Sequence, residues 1–270
     1  MYGAVLGDMI GSRFEFDRGG KTKDFELFTF QNKWTDDSVM TIAVGEALMD
    51  AGRNASSEEI EQACIRSMQK WGQRYPYAGY GSMFIHWVNA KDPKPYNSYG
   101  NGSAMRVSAA GWLYDSLDHT REAARATAAV SHNHPEGIKG AECTAAVIYL
   151  ARTGSSKEQI EEYVKREFGY DVSLTLDEMR KRHCHVETCQ DSLPKALRSF
   201  FDGSSFEDTV RNAVSLGGDA DTIGAIAGAM AEAYYEIPED LKRECLKRIR
   251  HDMQEVLMRF DRELGRSGSE

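Results

Sequence analysis

Apolar residues recur at helical rather than alternating spacing through most of the chain. The spacing predicts helices over 2–12, 37–51, 57–74, 81–88, 103–115, 120–130, 136–153, 156–167, 190–201, 205–215, 221–234 and 239–263, and therefore an all-α fold. Several starts have a local cause. Ser56 with Glu59, and Ser155 with Glu158, have capping-box spacing, and Pro238 suits a first-turn position. In the last segment Leu241, Cys245, Ile249, Met253, Val256, Leu257 and Phe260 make one packing face. Gly224 and Gly228, four apart in a run of small residues, predict a buried central helix lying close against a neighbour. Stretches 19–34 and 92–102 lack a clear period and read as functional loops on the helical scaffold.

No Ser/Gly linker divides the chain, so one compact domain over 1–264 is expected, with a flexible tail over 265–270. A hydrophobic content of 41% is enough for a substantial core. The formal net charge of -9 argues against non-specific nucleic-acid binding and against attachment to anionic membranes. No apolar run approaches the roughly 18 residues of a spanning helix, and the first residues lack a basic, signal-like region. A cytoplasmic monomer is the expectation. The 5 cysteines include no Cys-x-x-Cys pair, so reduced thiols are expected.

Candidate chemistry is concentrated in two acidic clusters far apart in sequence, Thr35-Asp36-Asp37-Ser38 and Gly218-Asp219-Ala220-Asp221-Thr222, each where a helix should begin. Either alone would serve as an N-cap, since one oxygen side chain satisfies the orphan amides of a helix start. A single start needs one cap, however, and the second cluster offers alternating acids after flexible backbone. Hard oxygen donors with no interleaved His or Cys favour Mg²⁺, Mn²⁺ or Ca²⁺ over Zn²⁺. Four aspartates carry more charge than one divalent ion neutralises, so two ions sharing a bridging carboxylate are expected.

The remaining candidates are weaker signals. Ser98-Tyr99-Gly100-Asn101-Gly102-Ser103-Ala104-Met105-Arg106 runs from loop into helix and offers amides to phosphate oxygens, with Tyr96 and Tyr99 available for stacking, but it matches no nucleotide-binding fingerprint. Asp8 reads as structural, whereas Glu15, leaving the first helix, is placed to act as ligand or proton shuttle. His132 is a candidate lining residue and His134 a lesser one; His183-Cys184-His185 with Cys189 fits no common zinc spacing and reads as a surface junction.

Together, Gly7-Asp8-x-x-Gly11-x-x-x-Glu15, Trp34-Thr35-Asp36-Asp37, Tyr99-Gly100-Asn101-Gly102-Ser103-Ala104-Met105-Arg106, Ser131-His132 and Gly217-Gly218-Asp219-Ala220-Asp221-Thr222 resemble the ADP-ribosylglycohydrolase family, in family order and over most of the chain. The resemblance implies an orthogonally packed all-α fold with two Mg²⁺ or Mn²⁺ ions in a cleft. It implies Thr35, Asp36, Asp37, Asp219, Asp221 and Thr222 as metal ligands, with Glu15 a movable ligand near the scissile bond. Asp37, Glu15 and Asp36 would be the catalytic acids, and either Asp37 or Glu15 the proton carrier. Ser98, Tyr99, Gly100, Asn101, Gly102, Ser103, Met105 and His132 would line the ADP-ribose channel. Ser38 stands where a second Thr is common and Ser103 where Gly or Ala is. The implied reaction is hydrolysis of the bond from C1 of the distal ribose of ADP-ribose to an acceptor. Competing classes are a non-catalytic ADP-ribose-binding or crystallin-like relative and a metal-dependent nucleotide phosphohydrolase.

Overall fold

The computed structural model describes residues 1–182 and 185–266. Among them the helices are α1 (Tyr2–Gly11), α2 (Asp36–Ala51), α3 (Ser57–Arg74), α4 (Ser82–Asn89), α5 (Gly102–Met105), α6 (Ala110–Leu113), α7 (Leu117–Ala129), α8 (Pro135–Arg152), α9 (Lys157–Phe168), α10 (Leu176–Arg180), α11 (Cys189–Asp202), α12 (Phe206–Val214), α13 (Ala220–Tyr234), α14 (Glu239–Arg248) and α15 (His251–Glu263). No strand forms among the described residues; an isolated bridge joins Gly100 to Thr188. None of these helices is long and apolar enough to cross a membrane. Cys64, Cys143, Cys189 and Cys245 are free and buried.

Most helices lie where the apolar spacing puts them, and the differences have local causes. The segment expected to be helical over 103–115 breaks into α5 and α6. At the break the Met105 carbonyl accepts from the Thr41 hydroxyl, and the Arg106 side chain turns inward to Thr127 and Ser131. The last segment breaks between α14 and α15, where Gln254 Nε2 donates to the freed carbonyls of Leu246 and Ile249. Pro238 is the residue before α14 rather than inside its first turn. The second capping box is Ser156 with Gln159, one residue beyond the expected Ser155 with Glu158. Helix α10 was not anticipated, although its Thr175–Glu178 capping box is visible in the sequence.

The expected loop over 19–34 proves to be a strap that stays off the cleft. Arg13, Arg211 and Arg248 hold its carbonyls at Glu26, at Lys23 and Phe25, and at Thr29, and Asn32 Nδ2 donates to the Met9 carbonyl. Of the expected tail, residues 267–270 lie outside the described residues. Just before them, Arg266 packs with its guanidinium 3.8 Å from the Trp112 ring centroid.

The core is built around α13, buried along its length from Ala220 to Ala231 and packed by α1, α8, α11 and α12. Its tightest neighbour is α1, running antiparallel to it. A Cβ on Gly7 would stand 2.0 Å from the Gly224 carbonyl oxygen, and one on Gly3 2.2 Å from that of Gly228. Only glycine permits backbones this close. The seam fixes the exit of α1, with Asp8 and Glu15, against the N-terminus of α13, with Asp219, Asp221 and Thr222.

Candidate active site

The site is assembled from three chain segments converging on the start of α13. Thr35 caps α2, its Oγ1 accepting from the Asp37 amide at 3.2 Å. Asp8, fully buried on α1, holds that cap in place. Its carboxylate accepts from the Thr35 amide (2.9 Å) and hydroxyl (2.8 Å), from the Ser38 amide (3.0 Å) and from the Ser38 hydroxyl. Asp8 is thus the structural clamp expected of it, and Ser38 supplies the hydroxyl that such a clamp needs.

Around the clamp, the five carboxylates of Asp8, Glu15, Asp37, Asp219 and Asp221 crowd together. Carboxylate oxygens of Asp8, Asp37 and Asp221 lie within 4.8 Å of one another, as do those of Glu15, Asp219 and Asp221. Asp221 belongs to both groups. Among the described residues no Lys or Arg forms an ion pair with any of them. Burial and like charge therefore push their carboxyls up. Asp37 is held well above the usual range by burial and then by Asp8 and Asp221, and Asp221 by burial and then by Asp219 and Asp8. Asp8 reaches only about 6 because its donors offset its burial. Burial raises Glu15 and Asp219 too, with Asn101 opposing the shift at Asp219.

A hard divalent cation fits this arrangement. Asp37 Oδ2 meets the Thr222 hydroxyl at 3.2 Å, but its Oδ1 is buried with no hydrogen-bond donor. An acceptor left so is costly unless something cationic approaches it. The donor set is all oxygen, and Asp221 is common to both carboxylate groups.

Above the acids opens a cleft of ≈ 380 Å³. Of the residues named from sequence, Glu15, Asp36, Asp37, Asp219, Asp221 and Thr222 line its acidic side; Ser98, Gly100, Asn101, Gly102, Met105 and His132 line the other. Asn101 Nδ2 ties the two sides together, donating to Asp219 Oδ2 at 2.5 Å and to Ser192 Oγ at 2.8 Å. Asp36 belongs to neither carboxylate group and stands on the wall near Gly79, its carboxyl pushed up to about 8 by burial and by Asp8.

Three expected positions lie off the lining. Thr35 sits beneath it as the cap. Ser103 is fully buried and donates to the Gly137 carbonyl at 2.7 Å, joining α5 to α8. Tyr99 is half exposed and meets His134 edge-on, with ring centroids 5.2 Å apart. His134 itself caps α8, accepting from the Glu136 amide. His183 and Cys184 lie outside the described residues; His185 pairs with Glu187 and packs on Phe16.

The ADP-ribosylglycohydrolase family model matches residues 1–269. The chain belongs to that family. An Archaeoglobus fulgidus protein is 30% identical, with 96% of this chain and 95% of that protein aligned. The human ADP-ribosylhydrolase ARH3 is 26% identical over 90% of this chain and 87% of its own length, and the Pseudomonas putida ADP-ribosylarginine hydrolase Tri1 is 24% identical over 88% and 70%. An ADP-ribosylglycohydrolase-related protein complex of known structure shares the fold, with a TM-score of 0.68 at 23% identity, covering 99% of this chain and 97% of that one. Membership points to hydrolysis of an ADP-ribosyl bond as the class of reaction.

Several residues that shape the cleft do not stand out in the sequence. Phe16, Met83 and Phe84 supply apolar lining, and Arg106, buried at 1% exposure, brings a cation to it. Arg106 is visible in the sequence, directly after the glycine loop; its inward turn depends on the helix break that periodicity did not show. Phe16 and Asp17 adopt left-handed φ of 59° and 57°, uncommon for residues other than glycine and most of all for a bulky one such as Phe16. They are held by hydrogen bonds to Gly218, the residue before Asp219, so Glu15 and the α13 acids are set by one joint.

Proposed function

We propose that this protein is a metal-dependent hydrolase that cleaves the bond between C1 of the distal ribose of ADP-ribose and an acceptor group. The observation that carries the reading is the joining, in one cleft of small-molecule size, of two carboxylate groups sharing Asp221 with the glycine loop on the facing wall. Asp37, Asp219 and Asp221, with the hydroxyls of Thr35 and Thr222, would hold Mg²⁺ or Mn²⁺, and Asp36 completes the set from the wall. Divalent cations there supply charge that holds a sugar diol and lowers the pKa of a bound water.

The protein's own contribution is position and proton handling. Asn101 fixes Asp219, and Asp8 fixes the start of α2, so the carboxylates are pre-organised before ligand arrives. Glu15 is the most accessible acid of the two groups and stands at the cleft beside Asp219 and Asp221, with its carboxyl raised by burial and by Asp219. It is the residue suited to carry a proton between an attacking water and the leaving group. Asp37 lies deeper, hydrogen-bonded to Thr222, and suits a fixed ligand. On the facing wall the Gly100–Gly102 loop lets the ligand approach the backbone closely, while Phe16, Met83 and Phe84 offer it apolar surface.

The test is release of free ADP-ribose from ADP-ribosyl-arginine, ADP-ribosyl-serine, ADP-ribosylated DNA and acetyl-ADP-ribose with Mg²⁺ or Mn²⁺. Wild-type protein should turn over at least one of them, and Asp36→Asn and Asp219→Asn should each lose at least about a hundredfold in rate. Wild-type rates in either variant would overturn the reading. Inorganic phosphate as the product would make the protein a phosphohydrolase instead.

A further inference from the structure

Behind the glycine loop, a buried chain of side chains leads from a cation to the cleft. Arg106 Nη2 donates to the Thr127 carbonyl at 3.0 Å and to Ser131 Oγ at 2.8 Å, and Ser131 Oγ lies 2.8 Å from His132 Nδ1. All three side chains are buried, with exposures of 1%, 0% and 6%. No carboxylate among the described residues pairs with Arg106, and its Nε has no acceptor. The other end of His132 faces the ligand loop: its Nε2 lies 3.1 Å from where a Cβ on Gly102 would stand, and 3.5 Å from one on Gly100. Gly137 of α8 packs on the His132 backbone, so the ring is held from behind.

The direction of each hydrogen bond along this chain follows from the protons its members carry. A guanidinium can only donate, so Ser131 Oγ accepts from Arg106. The serine has one proton, and among its contacts only His132 Nδ1 can accept it. Were Nδ1 protonated instead, the Ser131 proton would be buried without an acceptor. Burial and then the guanidinium also oppose a second proton on the ring, keeping it well below its usual pKa.

We propose that Arg106 and Ser131 are positioning residues that lock His132 as the neutral Nε2–H tautomer, a fixed hydrogen-bond donor from the wall of the cleft to an oxygen of the bound ADP-ribose. The identity of the ligand rests on the proposed function; the tautomer does not. In a chain of net charge -9, the lock places a donor and, behind it, an unpaired cation on the side of the cleft where an anionic ligand must lie.

Imidazole nitrogen NMR on the ¹⁵N-histidine-labelled full chain reads the tautomer directly, with His132 assigned by its loss in His132→Gln. A protonated Nε2 and bare Nδ1 are expected at neutral pH in the wild-type chain; a protonated Nδ1, or signals averaged between tautomers, would overturn the proposal. Calorimetry with ADP-ribose then tests the linkage. Ser131→Ala should weaken binding roughly tenfold when His132 is present and leave it unchanged in a His132→Ala background. Ser131→Thr, which keeps the hydroxyl, should restore it. An equal loss in both backgrounds would show that Ser131 does not act through His132. Wild-type protein with the expected tautomer but no affinity for ADP-ribose would sink the functional reading and the donor role, and leave the lock itself standing.

Discussion

Asp36 stands on the cleft wall and belongs to neither carboxylate group, yet it feels the charge of both. Burial and its acidic neighbours push its carboxyl up to about 8, from an ordinary value of about 4 in the unfolded chain. Between those values the folded state binds the proton more tightly than the unfolded one. The metal-free fold therefore loses stability through Asp36 as pH rises from about 4 to about 8. In the presence of a chelator, Asp36→Asn should melt close to wild type near pH 4 and progressively above it toward pH 8; a constant or reversed difference across that range would refute the crowding of charge. Such residues were legible as a type, since an excess of oxygen ligands at two helix starts is visible in the sequence. Their grouping was not: Asp8 joins Asp37 and Asp221 only because the clamp needs it there, and Asp36 falls outside both groups.

The element that makes the site possible is the glycine seam between α1 and α13. Gly224→Ala would set a methyl group 2.7 Å from the Gly7 carbonyl oxygen, and the two helices would have to separate. We expect a loss of about 1–3 kcal/mol in chemical denaturation, together with weakened Mn²⁺ binding, because Asp8 and Asp221 lie on opposite sides of the seam. Ser56→Ala, at the capping box of α3 and away from the cleft, should cost about 1 kcal/mol and leave metal affinity unaltered. Equal metal affinity in both variants would detach the seam from the site. Gly224 and Gly228 already announced close packing by their spacing, but not the partner, because α1 is remote in sequence. The breaks after α5 and α14 were hidden for a related reason. Apolar spacing continues through them, while the hydrogen bonds to the carbonyls at the breaks come from Thr41 and Gln254, and Arg106 turns inward to Thr127.

At the scale of the whole molecule, an acidic chain holds a cleft with acids on one side and a buried, unpaired arginine on the other. That polarity suits a ligand whose sugar meets the acids through cations while its anionic part lies against the glycine loop. Charge counting from sequence reached the need for cations; the convergence of both clusters with the glycine loop depends on long-range packing that a single sequence does not display. The central claim is that Thr35-Asp36-Asp37 and Asp219-x-Asp221-Thr222 form one centre for two ions. Counting Mn²⁺ bound per chain at saturation, in wild type and in Asp221→Asn, tests it most directly. Two ions in wild type and fewer in the variant are predicted, since Asp221 is the carboxylate common to both groups; one ion or none in wild type, or two retained without Asp221, would contradict it.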